Sequence, residues 1–513
     1  MDDSEKVALV QPYLKIEQMI RETGELYFEE KIIASRETIE KYNASLDLWE
    51  RREGLLITEN KGLVSIESYE ITTLFILKKL LGMSHDTNQE QQNSNERYLR
   101  NCGFEFEDPL KRVALKNLFV YSNLILIYGA AGTGKTTLIN YISCMMNQSR
   151  KLYLTKTHTA LQNLQRRVKN TDENCTFSII DSITRSNSLV DYDIVFIDEC
   201  STIDNRTMKS LLKRIDNDTM LVLSGDIYQI ESIDFGNWFY YAKGIIKVKG
   251  TSIELLNTWR TDKEELKSLW NEIREKRPII TEKLSMDGPF SEDLGENIFK
   301  REDDEVVLCL NYDGKFGLNN MNQYFQNANT QSEEVFWAEW TFKIGDPIVF
   351  VDTKRSQLLY NNLRGTIVDI MKEESKIVFT IDIKTLLTRE QCEYEEFEYL
   401  LNNGDETRIR LDVIAWDDEL PEEDRRKTVI PFQIAYAISI HKAQGLEYKS
   451  VKVVIPSSNT EKITHSIFYT AITRAKENLK IFWSAETMEK IVKSFTIEKV
   501  EQNTLQIIKE KLK

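Results

Sequence analysis

An α/β fold is predicted for this 513-residue chain, and three observations predict it. The run Leu124–Tyr128 is apolar and strand-like, meets a glycine-rich turn, and leads into Leu138–Ser143, which opens an amphipathic helix. From residue 111 to about 255, apolar strand-like runs alternate with helical periodicity, as in a parallel sheet covered by helices. The strand candidates Leu124–Tyr128, Lys151–Thr155, Ile194–Asp198 and Met220–Ser224 each end at a polar residue, and ligands of open α/β sheets sit at the carboxyl ends of strands.

The turn reads Gly129, Ala130, Ala131, Gly132, Thr133, Gly134, Lys135, Thr136, Thr137. That is the G-x-x-x-x-G-K-[ST] phosphate loop, in the strand-before, helix-after context the motif requires. Its glycines let consecutive N–H groups face an anion, and the new helix points its positive end at the same spot. Lys135 is placed to reach the β- and γ-phosphates, and the Thr136 hydroxyl to ligate Mg²⁺. A glycine-rich turn with an accidental lysine would not need the flanking strand and helix. The chain therefore binds a nucleoside triphosphate.

Composition narrows the class. The length suggests three or four domains. With 41% hydrophobic and 29% charged residues, the core is that of an ordinary globular protein. A net charge of −15 argues against a protein that coats nucleic acid, though not against a narrow basic channel in an acidic body. Cys102, Cys144, Cys175, Cys200, Cys309 and Cys392 form no C-x-x-C pair, which excludes an evident zinc ribbon or disulfide framework. Without a signal peptide or a bilayer-length apolar run, the expectation is a soluble, reduced, cytoplasmic protein with no membrane partner.

Taken in order, residues 1–53 carry helical periodicity with an acidic excess. They read as a small helical bundle with a solvated face or, more pointedly, as a docking arm for a protein partner. Residues 54–66 suggest a hairpin turning at Asn60, Lys61 and Gly62, and 67–83 a helix. The polar, Asn/Gln-rich stretch 84–97 reads as a linker, closing an N-terminal domain of 1–97.

Two more strand ends carry chemistry. Asp198 and Glu199 hang from Ile194–Ile197. Asp198 is placed to share Mg²⁺ with Thr136, and Glu199 to take a proton from the attacking water. After the strand from Met220 come Gly225, Asp226 and Gln229, whose amide can both hold that water and sense the γ-phosphate.

This order of motifs resembles that of superfamily 1 helicases. AYAISIHKAQGLEYKSVKVVI (435–455), FYTAITRAKENLKIF (468–482) and ELLNTWRTD (254–262) resemble motifs V, VI and IV, and the likeness covers about 111–485. WTFKIGDPIVFVDT (340–353), NNLRGTIVDI (361–370) and GLNNMNQYFQ (317–326) resemble the RecD-like branch. The resemblance implies two RecA-like motor domains, at 98–255 and at 256–362 with 429–485. It adds a small SH3-like β-barrel insert at 363–428. Apart from the resemblance, residues 486–513 read as two terminal helices, with Ile491, Val492 and Phe495, then Leu505, Ile508 and Leu512 on one face, that cap the second motor domain rather than bind a partner. The resemblance implies ATP and Mg²⁺ as cofactors and 5′-to-3′ movement on single-stranded DNA, favoured over RNA. Lys135, Asp198, Glu199 and Gln229 are then catalytic, with Arg260 and Arg474 as the cations supplied by the second domain. Gly445 and Glu447 lie near the nucleotide in the family. Thr157 and His158, in a segment resembling motif Ia, and His441 and Lys442, in motif V, match phosphate contacts to nucleic acid. Phe235, Tyr228, Trp238 and Trp259 are candidates either for base stacking or for core.

Two departures matter. Lys111 stands where that group places an adenine-reading glutamine, so preference for ATP over GTP is not implied. Only Thr184–Tyr192 separates FSIIDSI (177–183) from the strand of motif II, too little for a long strand-separating pin, so weak unwinding is expected. An RNA translocase, and a regulatory NTPase switch working through a protein partner, are the competing readings.

Overall fold

The computed structural model describes residues 3–85, 87–102, 106, 108–169, 173–185, 189–230, 232, 234–277, 280–300, 304–330, 332–351, 355–356, 358–417, 420–458, 463–495 and 500–513. The chain divides into two compact units. The first holds Met1–Pro278, Glu461–Thr470 and Ile491–Lys513; the second holds Ile279–Thr460 and Ala471–Lys490. Among the described residues no helix is long and apolar enough to cross a membrane.

The first unit begins with helices and a small sheet of β1 (Phe28–Glu29), β2 (Ile57–Asn60) and β3 (Leu63–Ile66), in the order β1-β3-β2. The β2–β3 hairpin forms where expected. Its central residues Lys61 and Gly62 have φ of +53° and +78°, the backbone that matches a two-residue turn to the right-handed strand twist. The expected helix follows at Glu67–Leu81. Inside this region Glu70 is buried, accepting from the Tyr27 hydroxyl at 2.5 Å and the Thr58 hydroxyl at 3.1 Å.

The stretch 84–97 is not a linker. Gln89–Asn101 is a helix, capped by the Asn88 side chain, which accepts from the Gln91 N–H at 3.0 Å. Its anchor is polar, which is why apolar periodicity missed it: buried Asn95 donates to the Leu118 carbonyl at 2.8 Å and the Lys116 carbonyl at 3.2 Å.

The main sheet of this unit comprises β4 (Leu124–Gly129), β5 (Lys151–Thr155), β6 (Cys175–Ile179), β7 (Ile194–Ile197), β8 (Met220–Gly225) and β9 (Ser252–Leu255). The order is β6-β5-β7-β8-β4-β9 and every pairing is parallel. Strands β4, β7 and β8 are almost wholly buried, as expected of a sheet covered on both faces. The side of the sheet carrying Leu124, Leu126, Val195 and Leu221 shares one core with Ile66, Ile76 and Leu80 of the N-terminal region.

Two expectations about boundaries change. The helix Val500–Leu512 packs in the first unit, not on a second motor domain. Ile507 and Ile508 join that same core, Leu505 lies against Gly244, and Lys61 pairs with Glu510 at 2.7 Å. The break expected at 255/256 falls inside the first unit, because the chain after β9 runs along the phosphate loop before leaving.

The second unit has a parallel sheet of β10 (Ser291–Glu292), β11 (Glu305–Cys309), β20 (Ala437–Ser439), β21 (Tyr448–Val454) and β22 (Ala475–Phe482), ordered β10-β22-β21-β11-β20. Between β11 and β20 come the hairpin β12 (Val335–Trp337) and β13 (Trp340–Phe342) and an antiparallel sheet. That sheet comprises β14 (Pro347–Phe350), β15 (Arg364–Lys372), β16 (Lys376–Ile383), β17 (Glu398–Asn403), β18 (Glu406–Ile414) and β19 (Phe432–Ile434), ordered β17-β18-β16-β15-β14-β19. It has its own core, including Phe342, Phe350, Phe379 and Phe432. The insert expected at 363–428 covers β15 to β18; β14 and β19, on either side of it in sequence, complete the sheet.

Candidate nucleotide site

The phosphate loop leaves β4 and enters the helix Lys135–Met145 through Gly134, whose φ of +85° only glycine adopts without cost. Thr133 is buried, with its hydroxyl on the Ala130 carbonyl at 2.9 Å. Lys135 is buried and folded back over the loop, donating to the carbonyls of Gly129 at 2.9 Å and Ala130 at 3.1 Å. Thr137 is exposed on the first turn of the helix.

Neighbouring strand ends bring the other groups. The Thr136 hydroxyl lies 3.4 Å from Asp198 Oδ2, at the end of β7. Asp198 is buried, and its Oδ1 accepts the Glu199 N–H at 3.0 Å. Glu199 itself sits at φ +54°, strained for a residue with a side chain. Burial first, and then the Glu199 carboxylate, push the Asp198 carboxyl above the usual carboxylate range, with Lys135 pulling the other way. At the end of β8, buried Asp226 accepts from Gln229 Nε2 at 3.2 Å and the Tyr228 N–H at 3.1 Å. Burial raises the Asp226 pKa as well, again opposed by Lys135. Asp226, which the sequence places at this strand end without giving it a role, is the carboxylate that holds Gln229. Beyond Gln229, the Ile230 N–H donates to the buried hydroxyl of Thr470, at 2.8 Å.

Arg260 also reaches the loop, but from within the first unit. The Thr258 hydroxyl donates to the Ala131 carbonyl at 3.1 Å and the Trp259 N–H to the Gly132 carbonyl at 2.8 Å. A Cβ built on Gly132 would lie 2.4 Å from Arg260 Cβ, so the two segments touch. The expectation that Arg260 arrives with a second domain is thereby corrected.

In the second unit, Arg474 is buried, donating to the Leu446 carbonyl at 3.2 Å and the Thr473 hydroxyl at 3.3 Å. Its own carbonyl accepts the Tyr448 N–H at 3.0 Å, so the segments resembling motifs V and VI interlock. Gly445 turns at φ +74° just before Leu446, and Glu447 is paired with Lys476 at 2.8 Å.

The candidate nucleic-acid contacts divide likewise. Thr157 caps the helix His158–Arg167, its hydroxyl accepting the Ala160 N–H at 3.2 Å. His158 is half-buried, and burial lowers its pKa below the usual histidine value. His441 is exposed and Lys442 half-buried. Of the aromatic candidates, Trp238 and Phe235 are core, the Trp238 indole donating to the Ile203 carbonyl at 2.8 Å, while Trp259 is 52% exposed. Residues 186–188, within the segment read as too short for a pin, lie outside the described residues.

The chain is similar in sequence to several known proteins. Residues 111–289 match the family model of an AAA domain, and 434–481 that of a UvrD-like helicase C-terminal domain. The RecBCD enzyme subunit RecD of Buchnera aphidicola subsp. Acyrthosiphon pisum is 22% identical over 491 residues, covering 77% of this chain and 75% of that protein. The ATP-dependent DNA helicase Pif1 of Campylobacter jejuni is 24% identical over 406 residues, covering 66% of this chain and 84% of that protein. The crystal structure of Bacteroides Pif1 bound to ssDNA aligns with a TM-score of 0.49 at 14% identity, covering 80% of this chain and 98% of that one.

Proposed function

We propose that this chain works as an ATP-dependent DNA helicase of the RecD-like branch of superfamily 1. One observation carries the proposal: Lys135, Thr136, Asp198, Asp226 and Gln229 converge on the phosphate loop at the ends of β4, β7 and β8. When a triphosphate enters, Lys135 exchanges its two backbone carbonyls for phosphate oxygens, and the N–H groups at the start of the helix Lys135–Met145 take the negative charge. Two buried carboxylates, Asp198 and Asp226, lie beside Lys135, and the Thr136 hydroxyl with the Asp198 carboxylate is an oxygen donor set suited to Mg²⁺. Thr136 and Asp198 would hold that ion, which supplies neutralisation of the triphosphate.

Glu199 orients and deprotonates the attacking water, and Gln229, held by Asp226, reads the γ-phosphate. Arg260 and Arg474 are the cations assigned to the charge that builds on the transferred group. Gly445 and Glu447 border the nucleotide. Thr157, His158, His441 and Lys442 contact the backbone of single-stranded DNA, with 5′-to-3′ travel and weak strand separation. The N-terminal helix exposes Val7, Val10 and Leu14, spaced as one stripe, and a protein partner docked there fits a relative that is itself a subunit of an assembly.

The test is steady-state ATP hydrolysis with and without single-stranded DNA and RNA oligonucleotides, with Lys135→Ala as control. Stimulation by DNA is expected. A rate indifferent to every oligonucleotide overturns the motor reading, and processive strand displacement by this chain alone overturns the weak-unwinding part.

A further inference from the structure

We propose, resting on the role given to Gln229 above, that Thr470 is a positioning residue for hydrolysis. Its hydroxyl fixes the main chain beside Gln229 and so aims that amide at the γ-phosphate. The Ile230 N–H donates to the Thr470 hydroxyl at 2.8 Å. Thr470 is 0% exposed, Gln229 4% and Ile230 7%, so the bond is shielded from water. All three residues belong to the first unit.

Gln229 is thereby held from both sides. On the near side its own N–H donates to the Asp226 carbonyl at 3.3 Å and its Nε2 to the Asp226 carboxylate. On the far side the local backbone offers less. Among the described residues no strand or helix lies between Gly225 and Trp238, so the Ile230 N–H has no ladder or helical turn to enter. A buried N–H must still find an acceptor. A side chain 240 positions further along the chain supplies it. Thr470 is itself seated by other contacts. It lies on the helix His465–Ile472. On that helix His465 Nε2 donates to the Ile273 carbonyl at 2.7 Å, and the Tyr469 ring meets the Tyr228 ring edge-on, with centroids 6.3 Å apart. The hydroxyl is a fixed acceptor, and the segment carrying Gln229 takes its place from it.

Removing the hydroxyl leaves the Ile230 N–H buried and unpaired, a state the segment relieves by shifting toward another acceptor. Gln229 shifts with it. An amide that must hold a water and a phosphate oxygen at once tolerates little displacement, since about 1 Å at a reacting centre costs about 100-fold in rate. The grip on ATP comes from elsewhere, from Lys135 and the phosphate loop that follows β4. Loss of the Thr470 hydroxyl therefore acts on kcat and leaves KM alone, the mark of a contact realised in the transition state.

The experiment measures kcat and KM of the full chain for ATP, with Mg²⁺ and saturating single-stranded DNA. The series is wild type, Thr470→Val, Thr470→Ser, Gln229→Ala and the double variant Thr470→Val with Gln229→Ala. Thr470→Val should lower kcat by about 10- to 100-fold with KM nearly unchanged. Thr470→Ser, which keeps the hydroxyl, should restore most of the rate. In the Gln229→Ala background Thr470→Val should cost nothing further, because the hydroxyl acts through that amide. A wild-type kcat in Thr470→Val, a serine variant as slow as the valine one, a rise in KM in place of the fall in kcat, or two losses that multiply in the double variant would each overturn the inference. Thermal melts accompany the series, and where Thr470→Val does not fold, Thr470→Ala carries the comparison. Failure of the role given to Gln229 is separate: it shows as Gln229→Ala hydrolysing at the wild-type rate, and it overturns both.

Discussion

Two glycines of the first unit share the same positive φ but meet different surroundings, which makes the touch between Arg260 and the phosphate loop measurable. Gly62 and Gly132 both sit at φ +78°. A Cβ on Gly62 meets nothing within 4 Å, whereas one on Gly132 would meet Arg260 Cβ at 2.4 Å, its N at 3.0 Å and its Cα at 3.1 Å. Alanine at either position carries the left-handed penalty of about 1–2 kcal/mol. At Gly132 it must also push the 258–260 backbone away, with an overpacking cost of about 1–3 kcal/mol and about 1 kcal/mol for the strained Trp259–Gly132 hydrogen bond.

Gly132→Ala is thus expected to cost about 2–4 kcal/mol more than Gly62→Ala in urea unfolding followed by fluorescence. If the loop yields locally instead, the loss moves to function, since an ångström of misplacement at a reacting centre costs about 100-fold. ATP hydrolysis should then fall by that order in Gly132→Ala and stay at wild-type level in Gly62→Ala. Two variants indistinguishable in both urea midpoint and hydrolysis rate would refute the close approach and the role given to Arg260.

Asp198→Asn should abolish hydrolysis yet raise the melting temperature of the nucleotide-free protein, because it removes a buried carboxylate crowded by Glu199, worth about 1 kcal/mol. In the second unit, Lys452 and Glu305 form a buried pair at 3.0 Å; Lys452→Met alone should cost about 3–5 kcal/mol in urea, and adding Glu305→Leu should recover most of it. His465 donates from Nε2 to the Ile273 carbonyl at 2.7 Å, and its pKa is lowered to about 4 by burial, against that hydrogen bond. The unfolded chain takes up this proton near pH 6.5 and the folded chain only near 4, so the contribution is complete above pH 6.5 and is lost as pH falls toward 4. Stability measured across that window should fall by about 2–3 kcal/mol from this group, and His465→Gln should flatten that part of the curve.

The phosphate loop and the strand ends were legible because local rules write them: a buried parallel strand is a continuous apolar run, and the loop needs glycine where φ is positive. The β2–β3 turn was legible for the same reason, at Lys61 and Gly62. What stayed hidden depends on partners distant in sequence. The helix Gln89–Asn101 is anchored by a polar side chain, Asn95, so its hydrophobic pattern is faint. Arg260 was given to the wrong side of a boundary because the hydrogen bonds of Thr258 and Trp259 to Ala131 and Gly132 leave no mark on composition. The seat of the helix Val500–Leu512 was missed because an amphipathic helix announces that it has an apolar face, not which surface covers it.

That seat has a consequence for synthesis. A ribosome makes residues 1–278 first, then the whole of the second unit, and only afterwards the helix whose Ile507 and Ile508 complete the core around Ile66 and Leu80. During elongation the early core must wait with that groove uncovered, a condition in which nascent chains recruit chaperones or associate wrongly. A stop codon near 490 would therefore damage the part translated earliest, and its product should collect in inclusion bodies although every motif of the motor had been made.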